Sequence, residues 1–104
     1  MPVVTVADAP EHHRYEIRVD GALAGYAVYV VKGNRWFFVH TEIADEFEGR
    51  GYASTLVREA LDDIRAHGIM IVPLCPFVAA WIERHPDYDE LVDHALLEHI
   101  ESKR

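Results

Sequence analysis

A short stretch at residues 46–54, EFEGRGYAS, carries two glycines and an arginine directly before a helical pattern of apolar residues. The first N–H groups of a helix have no intrahelical partner, and the helix dipole favours negative charge beside them. Glycine exposes this backbone because it has no Cβ. The amides of residues 49–54, together with the side chain of Arg50, therefore suit a phosphate group. A glycine-bearing tight turn with no ligand explains the same residues equally well.

A second candidate is the single cysteine, Cys75, which ends an apolar run directly before Pro76. Proline is common in the first turn of a helix, and a helix N-terminus favours the thiolate form of a cysteine. His40 lies near the end of another predicted strand, and a cysteine beside a histidine is a usual arrangement for an activated nucleophile. Against this, a lone cysteine is most often a small buried hydrophobe, and a lone histidine in an aromatic strand is often structural.

The sequence indicates neither a metal site nor a disulfide. His94 and His99 are five residues apart, whereas two ligands on one helix face are usually four apart. One cysteine cannot form an internal disulfide. We therefore expect no metal and a protein of a reducing compartment, most simply the cytoplasm.

The formal net charge of −8 argues against a general nucleic-acid binder, because neutralising phosphates needs a basic face. No apolar run approaches the ~20 residues of a membrane span, so no membrane partner is expected. Three acids, Asp45, Glu46 and Glu48, stand at the glycine-rich turn. They are most simply a solvated surface, although they would attract an amine and disfavour an anion.

The elements that must position these residues follow from the hydrophobic pattern. Residues 1–11 read as irregular. Three later stretches have strand patterns and are separated by the turn signals Asp20-Gly21 and Gly33-Asn34. The predicted strands are residues 14–19, residues 23–31 and residues 35–43, which together form an antiparallel meander.

The second half of the chain alternates helices with one strand. Apolar residues from Ala53 to Ile64 follow helical spacing, and Gly68 ends this helix. Residues 69–74 form a short strand, a helix begins at Pro76, and a last amphipathic helix covers residues 91–100. The charges of Asp87, Asp89 and Glu90 fit the N-cap and first turn of that last helix.

The order β-β-β-α-β-α-α predicts one α+β, or mixed α/β, domain that spans residues 1–104. A crossover helix leads to a parallel strand, so residues 69–74 should lie parallel to the third strand, residues 35–43. Both Cys75 and the glycine-rich turn then lie at the ends of neighbouring strands.

The segment EGRGYASTLV after FFVHTEI resembles the acetyl-CoA-binding motif of the GNAT N-acetyltransferase superfamily. In that motif a Gln or Arg is followed by Gly three positions later and by Gly or Ala two positions after that. Gly51 and Ala53 occupy the small positions, whereas Glu48 stands where Gln or Arg is usual. The segment VPLCPFVAAWIERHPDY extends the resemblance to the very short GNAT-like proteins and carries it from about Arg14 to Tyr88.

The resemblance implies a short GNAT-like fold in which the third strand and the strand at residues 69–74 splay apart. It implies acetyl-CoA as the cofactor, with the pantetheine arm in the gap and the diphosphate on the glycine-rich turn. The implied cofactor-binding residues are Ile43, Gly49, Arg50, Gly51, Tyr52, Ala53 and Ser54.

The resemblance also implies transfer of an acetyl group to an amine, of a small molecule or of a protein. Many family members use a tyrosine as general acid in the helix after the splayed strand. Ile82 occupies that position and can donate no proton, and Tyr88 lies too far along to be assigned the role. Cys75 either carries the acetyl group with His40 as base, or shapes the pocket or protonates the leaving thiolate while His40 accepts the proton of the amine.

Two other classes of function fit the same residues. The first is a module that binds coenzyme A or acyl-CoA with little or no catalysis. The second is a structural or protein-interaction domain whose glycine turn is only a turn. Monomer and homodimer both remain open.

Overall fold

The structure, a computed structural model, describes residues 1–103 as a five-stranded sheet with helices. The strands are β1 (Val4–Ala9), β2 (Arg14–Val19), β3 (Ala22–Lys32), β4 (Arg35–Ile43) and β5 (Met70–Pro73), in the spatial order β1-β2-β3-β4-β5. The helices are α1 (Tyr52–Ala66), α2 (Pro76–Arg84) and α3 (His94–Glu101). Short 3-10 turns occupy Pro10–His12, Asp45–Phe47 and Pro86–Leu91. The expected α+β class is confirmed.

The predicted meander of β2, β3 and β4 is confirmed, and each pair is antiparallel. At the first turn, Asp20 and Gly21 both have left-handed backbone angles, with φ of 50° and 85°. Two left-handed central residues define the type I′ turn, whose twist matches that of the flanking strands. The Asp-Gly signal therefore sets the register of this hairpin.

The expectation that residues 1–11 are irregular was wrong. Val4–Ala9 forms β1, which pairs antiparallel with β2 from Val4↔Val19 to Ala9↔Arg14. Val4 and Val6 pack partly buried against the core, while Thr5 between them and Ala7 after them are exposed. This alternation extends over only a few residues, so the polar segment that follows concealed it.

The predicted parallel strand is confirmed, although it is shorter than residues 69–74. β5 pairs with the first half of β4, from Arg35↔Met70 to Phe38↔Pro73. One face of the sheet packs against α1 and α2. The buried face of α1, as its spacing predicted, consists of Leu56, Val57, Ala60, Leu61 and Ile64.

The last helix begins later than predicted. Pro86 opens a 3-10 segment, and Val92 is extended and forms a bridge with Ile71 of β5, so no helix can continue through it. α3 starts at His94, and its N-cap is Asp93, whose carboxylate accepts the Leu96 N–H at 3.0 Å. The charges assigned to its first turn lie instead in the 3-10 segment. Within residues 1–103, no helix is long and apolar enough to cross a membrane.

Candidate functional site

A gap opens in the sheet where β4 and β5 part. The register of β4 against β3 skips Val39, because Tyr29 pairs with Phe38 and Val28 pairs with His40. Such an extra residue is a β-bulge, which bends its strand. The β5 pairing stops at the same position, and the Phe38 carbonyl accepts the N–H groups of Leu74 and Cys75 at 2.9 and 2.8 Å. Beyond Phe38, β4 continues to Ile43 without β5 beside it.

The exposed edge of β4 offers free backbone groups to this gap. Ala44 N–H donates to the Ala24 carbonyl at 2.8 Å, so Gly25 and Ile43 form a non-hydrogen-bonded pair. The ladder alternates, and the N–H and C=O groups of Ile43 and Thr41 therefore point away from β3 and into the gap. A ligand that carries amide groups can pair with these two residues as an added strand would.

The glycine-rich turn presents a bare helix N-terminus at the far end of the gap. Gly51 is the N-cap of α1, no side chain caps the helix, and its first turn contains no acidic residue. The first helical bond runs from Thr55 N–H to the Gly51 carbonyl at 3.2 Å, which leaves the amides of residues 52–54 for solvent or a ligand. An anion, and a diphosphate in particular, fits this donor set.

The glycines in this turn are required by backbone conformation. Gly49 and Gly51 have φ of 76° and 81°, the left-handed region that side chains disfavour. A Cβ at either position would meet no atom within 4 Å. A side chain at either position would therefore strain the backbone, and the space beside both glycines is open.

One pocket of about 370 Å³ joins the turn to the edge of β4. This volume is within the range of small-molecule sites. The lining residues are Thr41, Ile43, Phe47, Glu48, Gly49, Gly51, Tyr52, Ala53 and Phe77. The walls are mostly apolar, and Glu48 is the one acid that lines them.

Most of the predicted cofactor-binding residues lie on this pocket. Ile43, Gly49, Gly51, Tyr52 and Ala53 line it, whereas Arg50 and Ser54 do not.

Arg50 is exposed beside the turn, and its side chain faces solvent. The Ser54 hydroxyl instead accepts the indole N–H of Trp81 at 2.8 Å, which ties the start of α1 to α2.

Three residues that line the pocket were not predicted from the sequence: Thr41, Phe47 and Phe77. Thr41 has a signal, since it stands two residues before Ile43 on the same strand face. Phe77 follows the proline that opens α2, and its position depends on how α2 turns toward the gap.

Cys75 lies at the inner end of the gap. It is the N-cap of α2 and is buried, with 4% of its surface exposed. Its Sγ lies 3.5 Å from the Oγ1 of Thr41. The thiol therefore contacts a residue that lines the pocket.

His40 lies on the opposite face of the sheet, so the structure does not bring it beside Cys75 as expected. Its Nε2 is 3.2 Å from Oε1 of Glu42, and the Tyr26 hydroxyl donates to Oε2 of the same carboxylate at 3.1 Å. The hydrogen bonds with His40 and Tyr26 lower the pKa of Glu42 below its usual range. The reason for the placement is the bulge at Val39, which reverses the faces to which all later β4 residues point.

The hydroxyl of Tyr88 is already engaged in a hydrogen bond with a carboxylate. The Tyr88 hydroxyl donates to Oδ1 of Asp62 at 2.8 Å, and burial together with this bond raises the pKa of Tyr88. Ile82, at the position where the resemblance places an acid, is buried in the core. Among residues 1–103, no group of His, Cys, Asp and Glu is arranged to hold a metal ion.

Known proteins resemble this chain in sequence profile and in fold. The sequence profile of the GCN5-related N-acetyl-transferase family matches residues 14–91. No curated protein matches the chain in sequence.

Similar solved structures have the same fold at low identity. A GCN5-like putative N-acetyltransferase from Staphylococcus aureus superposes with a TM-score of 0.64 at 19% identity, over 85% of this chain and 86% of its own. A ribosomal-protein-alanine N-acetyltransferase from Brucella melitensis biovar Abortus 2308 gives 0.57 at 18% identity, over 68% of this chain and 58% of its own. N-acetylglutamate synthase from Neisseria gonorrhoeae, complexed with coenzyme A and N-acetyl-glutamate, gives 0.56 at 16% identity, over 79% of this chain and 22% of its own. This chain thus spans only part of the last two proteins.

Proposed function

The chain belongs to the GCN5-related N-acetyltransferase family, and is an acetyltransferase on that ground; we propose that it binds acetyl-CoA in the gap beside β4 and transfers the acetyl group to an amine. One observation carries this proposal. The outward backbone groups of Thr41 and Ile43 and the bare amides at the start of α1 face one pocket of about 370 Å³.

The pocket residues suit the parts of the cofactor in order along the gap. The amides of residues 52–54 would hold the diphosphate, with Arg50 beside them as a cation. The backbone of Ile43 and then of Thr41 would pair with the pantetheine amides. The apolar walls formed by Phe47, Tyr52 and Phe77 would shield the arm from water. Bound in this way, acetyl-CoA supplies an activated thioester at the inner end of the gap.

We assign His40 as the base that accepts the proton of the amine. The pairing of β5 with β4 ends at Phe38, so beyond that residue no strand would keep an acceptor amine from reaching the thioester from the outer face, on which His40 and Glu42 lie. Neither of these two residues lines the pocket itself. His40 is largely exposed and paired with a carboxylate, an arrangement that orients an imidazole for accepting a proton. In such a transfer the amine nitrogen would take the acetyl group, CoA would leave as its thiolate, and His40 would accept the proton of the amine.

Cys75 is assigned to the wall of the site. Its burial and its contact with Thr41 favour the route in which the amine attacks directly over the route in which Cys75 carries the acetyl group. Glu48 lines the pocket, and the exposed Asp45 and Glu46 lie close to it in the chain; these acids would favour a cationic amine as the acceptor.

Calorimetric titration with acetyl-CoA, followed by assays of CoA release with a panel of amines, tests the proposal. Binding together with amine-dependent release of CoA is the expected result. Binding without release for any amine would instead identify a CoA-binding module. No binding would reject the proposal and leave the glycine turn as a turn.

A further inference from the structure

The side chains of Thr41 and Cys75 form a thin partition between the open pocket and the core. Thr41 lines the pocket, and its Oγ1 contacts the Sγ of Cys75 at 3.5 Å. The residue paired with Thr41 on β3 is Ala27, which is fully buried. A non-hydrogen-bonded pair brings its two side chains close together on one face of the sheet. The side chain of Ala27 therefore lies directly beside that of Thr41.

Behind the partition the core is closed. Six apolar side chains surround this region and leave no room for a water molecule: Ala27, Phe38, Val57, Ala60, Leu61 and Val78. Val78 lies three residues after Cys75 and so shares its face of α2. The Cys75 N–H is also bonded to the Phe38 carbonyl. Cys75 therefore contacts Thr41 of the pocket and Phe38 of this closed region.

The order of the binding groups fixes which end of the cofactor meets the partition. The amides of residues 52–54 mark the diphosphate end of the pocket. Along β4, Ile43 is nearer to that end, and Thr41 is nearer to the point where the strands part. A thioester held in this order would lie beside Thr41 and Cys75.

We infer that the partition limits the acyl group to a short chain, so that acetyl is accepted and butyryl is not. This inference rests on the proposed function, because it needs the thioester at the inner end of the gap. A longer chain must displace the close-packed side chains behind Cys75. One methylene that a pocket does not accommodate typically changes selectivity by about 10- to 200-fold.

Calorimetry with free CoA, acetyl-CoA and butyryl-CoA tests the inference on the full chain. Free CoA serves as the reference for each protein, so that only the contribution of the acyl group is compared. In the wild type, acetyl-CoA should bind at least as tightly as CoA, and butyryl-CoA at least tenfold more weakly than acetyl-CoA.

Removing the partition should abolish this difference. Cys75→Ala combined with Val78→Ala opens a path from the pocket into the space behind it, and the acetyl-to-butyryl ratio should fall at least tenfold. Val92→Ala is the matched control, since Val92 is also a buried valine but packs beside Ile71 of β5. Its ratio should stay at the wild-type value.

The wild-type ratio keeps the test decisive even if the double variant does not fold. Equal binding of acetyl-CoA and butyryl-CoA to the wild type would overturn the inference while the proposed function stands. A folded double variant with an unchanged ratio would overturn it too. Failure of both CoA and acetyl-CoA to bind would overturn the proposed function and the inference together.

Discussion

The Oγ1 of Thr41 lies 3.5 Å from the Sγ of Cys75, although the two residues are 34 positions apart in the chain. The bulge at Val39 creates this contact, because it turns Thr41 toward α2 and turns His40 to the other face of the sheet. The extra residue Val39 therefore determines both which side chain of β4 lines the pocket and on which face of the sheet the candidate base lies.

A negative charge at the start of α1 should block the cofactor without harming the helix. Ala53→Glu places a carboxylate in the pocket, where a diphosphate would be repelled, and acetyl-CoA affinity should fall about tenfold or more. An acid in the first turn of a helix stabilises it by about 0.3–1 kcal/mol, so the melting temperature should not fall. The measurements are calorimetry and thermal unfolding.

Ala66→Glu is the matched control for this variant. It adds the same charge at the exposed opposite end of α1. Its acetyl-CoA affinity should remain at the wild-type value. Equal loss of affinity in both variants would point to a general effect of charge and against a diphosphate on the amides of residues 52–54.

The two left-handed glycines at positions 51 and 21 separate stability from binding. Both have φ above 80° and open space around the Cβ position, so alanine at either should destabilise the fold by about 1–2 kcal/mol. Gly51→Ala should also weaken acetyl-CoA binding, because it distorts the N-cap of α1. Gly21→Ala lies in the remote hairpin and should not. Denaturant unfolding and calorimetry measure the two effects, and similar binding by both variants would contradict the assignment of the turn.

His40→Gln should lower the rate of acetyl transfer with little change in acetyl-CoA affinity. A general base typically contributes about 10²- to 10⁴-fold, so kcat should fall at least a hundredfold with the best amine. His99→Gln, on the exposed surface of α3, is the control and should retain the wild-type rate. A His40→Gln enzyme with normal kcat at every pH would remove His40 from the reaction.

The stability of the C-terminal helix should depend on pH through Asp93. The hydrogen bond from Arg35, with Nε 2.8 Å from Oδ2, and the one from the Leu96 N–H lower the pKa of Asp93 below its ordinary value of 3.8. A carboxyl with a lowered folded pKa stabilises the fold above its unfolded pKa, and this contribution is lost as pH falls through the folded pKa. Asp93→Asn should therefore be less stable than the wild type at neutral pH, and the difference should shrink as pH falls below about 4.

Denaturant unfolding across the acid range measures this effect. Asp45→Asn is the control, since Asp45 is exposed and its side chain forms no ion pair among residues 1–103. Its difference from the wild type should stay near zero at every pH. A constant difference for Asp93→Asn down to low pH would show that its ionised form adds no stability.

The sequence predicted the elements whose patterns are long and regular. α1 has a full apolar face, β4 is aromatic and β-branched, and the Asp-Gly turn requires left-handed residues, so local preference and burial agree at each. β1 was missed because its alternation is short and depends on pairing with β2. The last helix was placed too early because Val92 pairs with β5, a contact between elements that periodicity does not reveal.

The residues that line the pocket were predicted only in part from the sequence. The glycine-rich turn was identified from its local motif and Ile43 from the family resemblance, and residues of both line one pocket. The face of His40 was not predictable, because an extra residue in a strand reverses every later side chain and leaves no mark in the composition of VHTEI. Simple alternation from Phe38 would have pointed His40 inward. Because of the extra residue Val39, Thr41 points inward instead.

The most direct test of the account is backbone NMR of the protein during titration with acetyl-CoA. If acetyl-CoA binds in the gap beside β4, the largest changes in amide shift, and new protection from hydrogen exchange, should occur at Thr41, Ile43 and residues 52–54. Amides of β1 and of α3 should change little. Shifts centred on another surface, or no shifts at saturating acetyl-CoA, would contradict the assignment of this gap as the cofactor site.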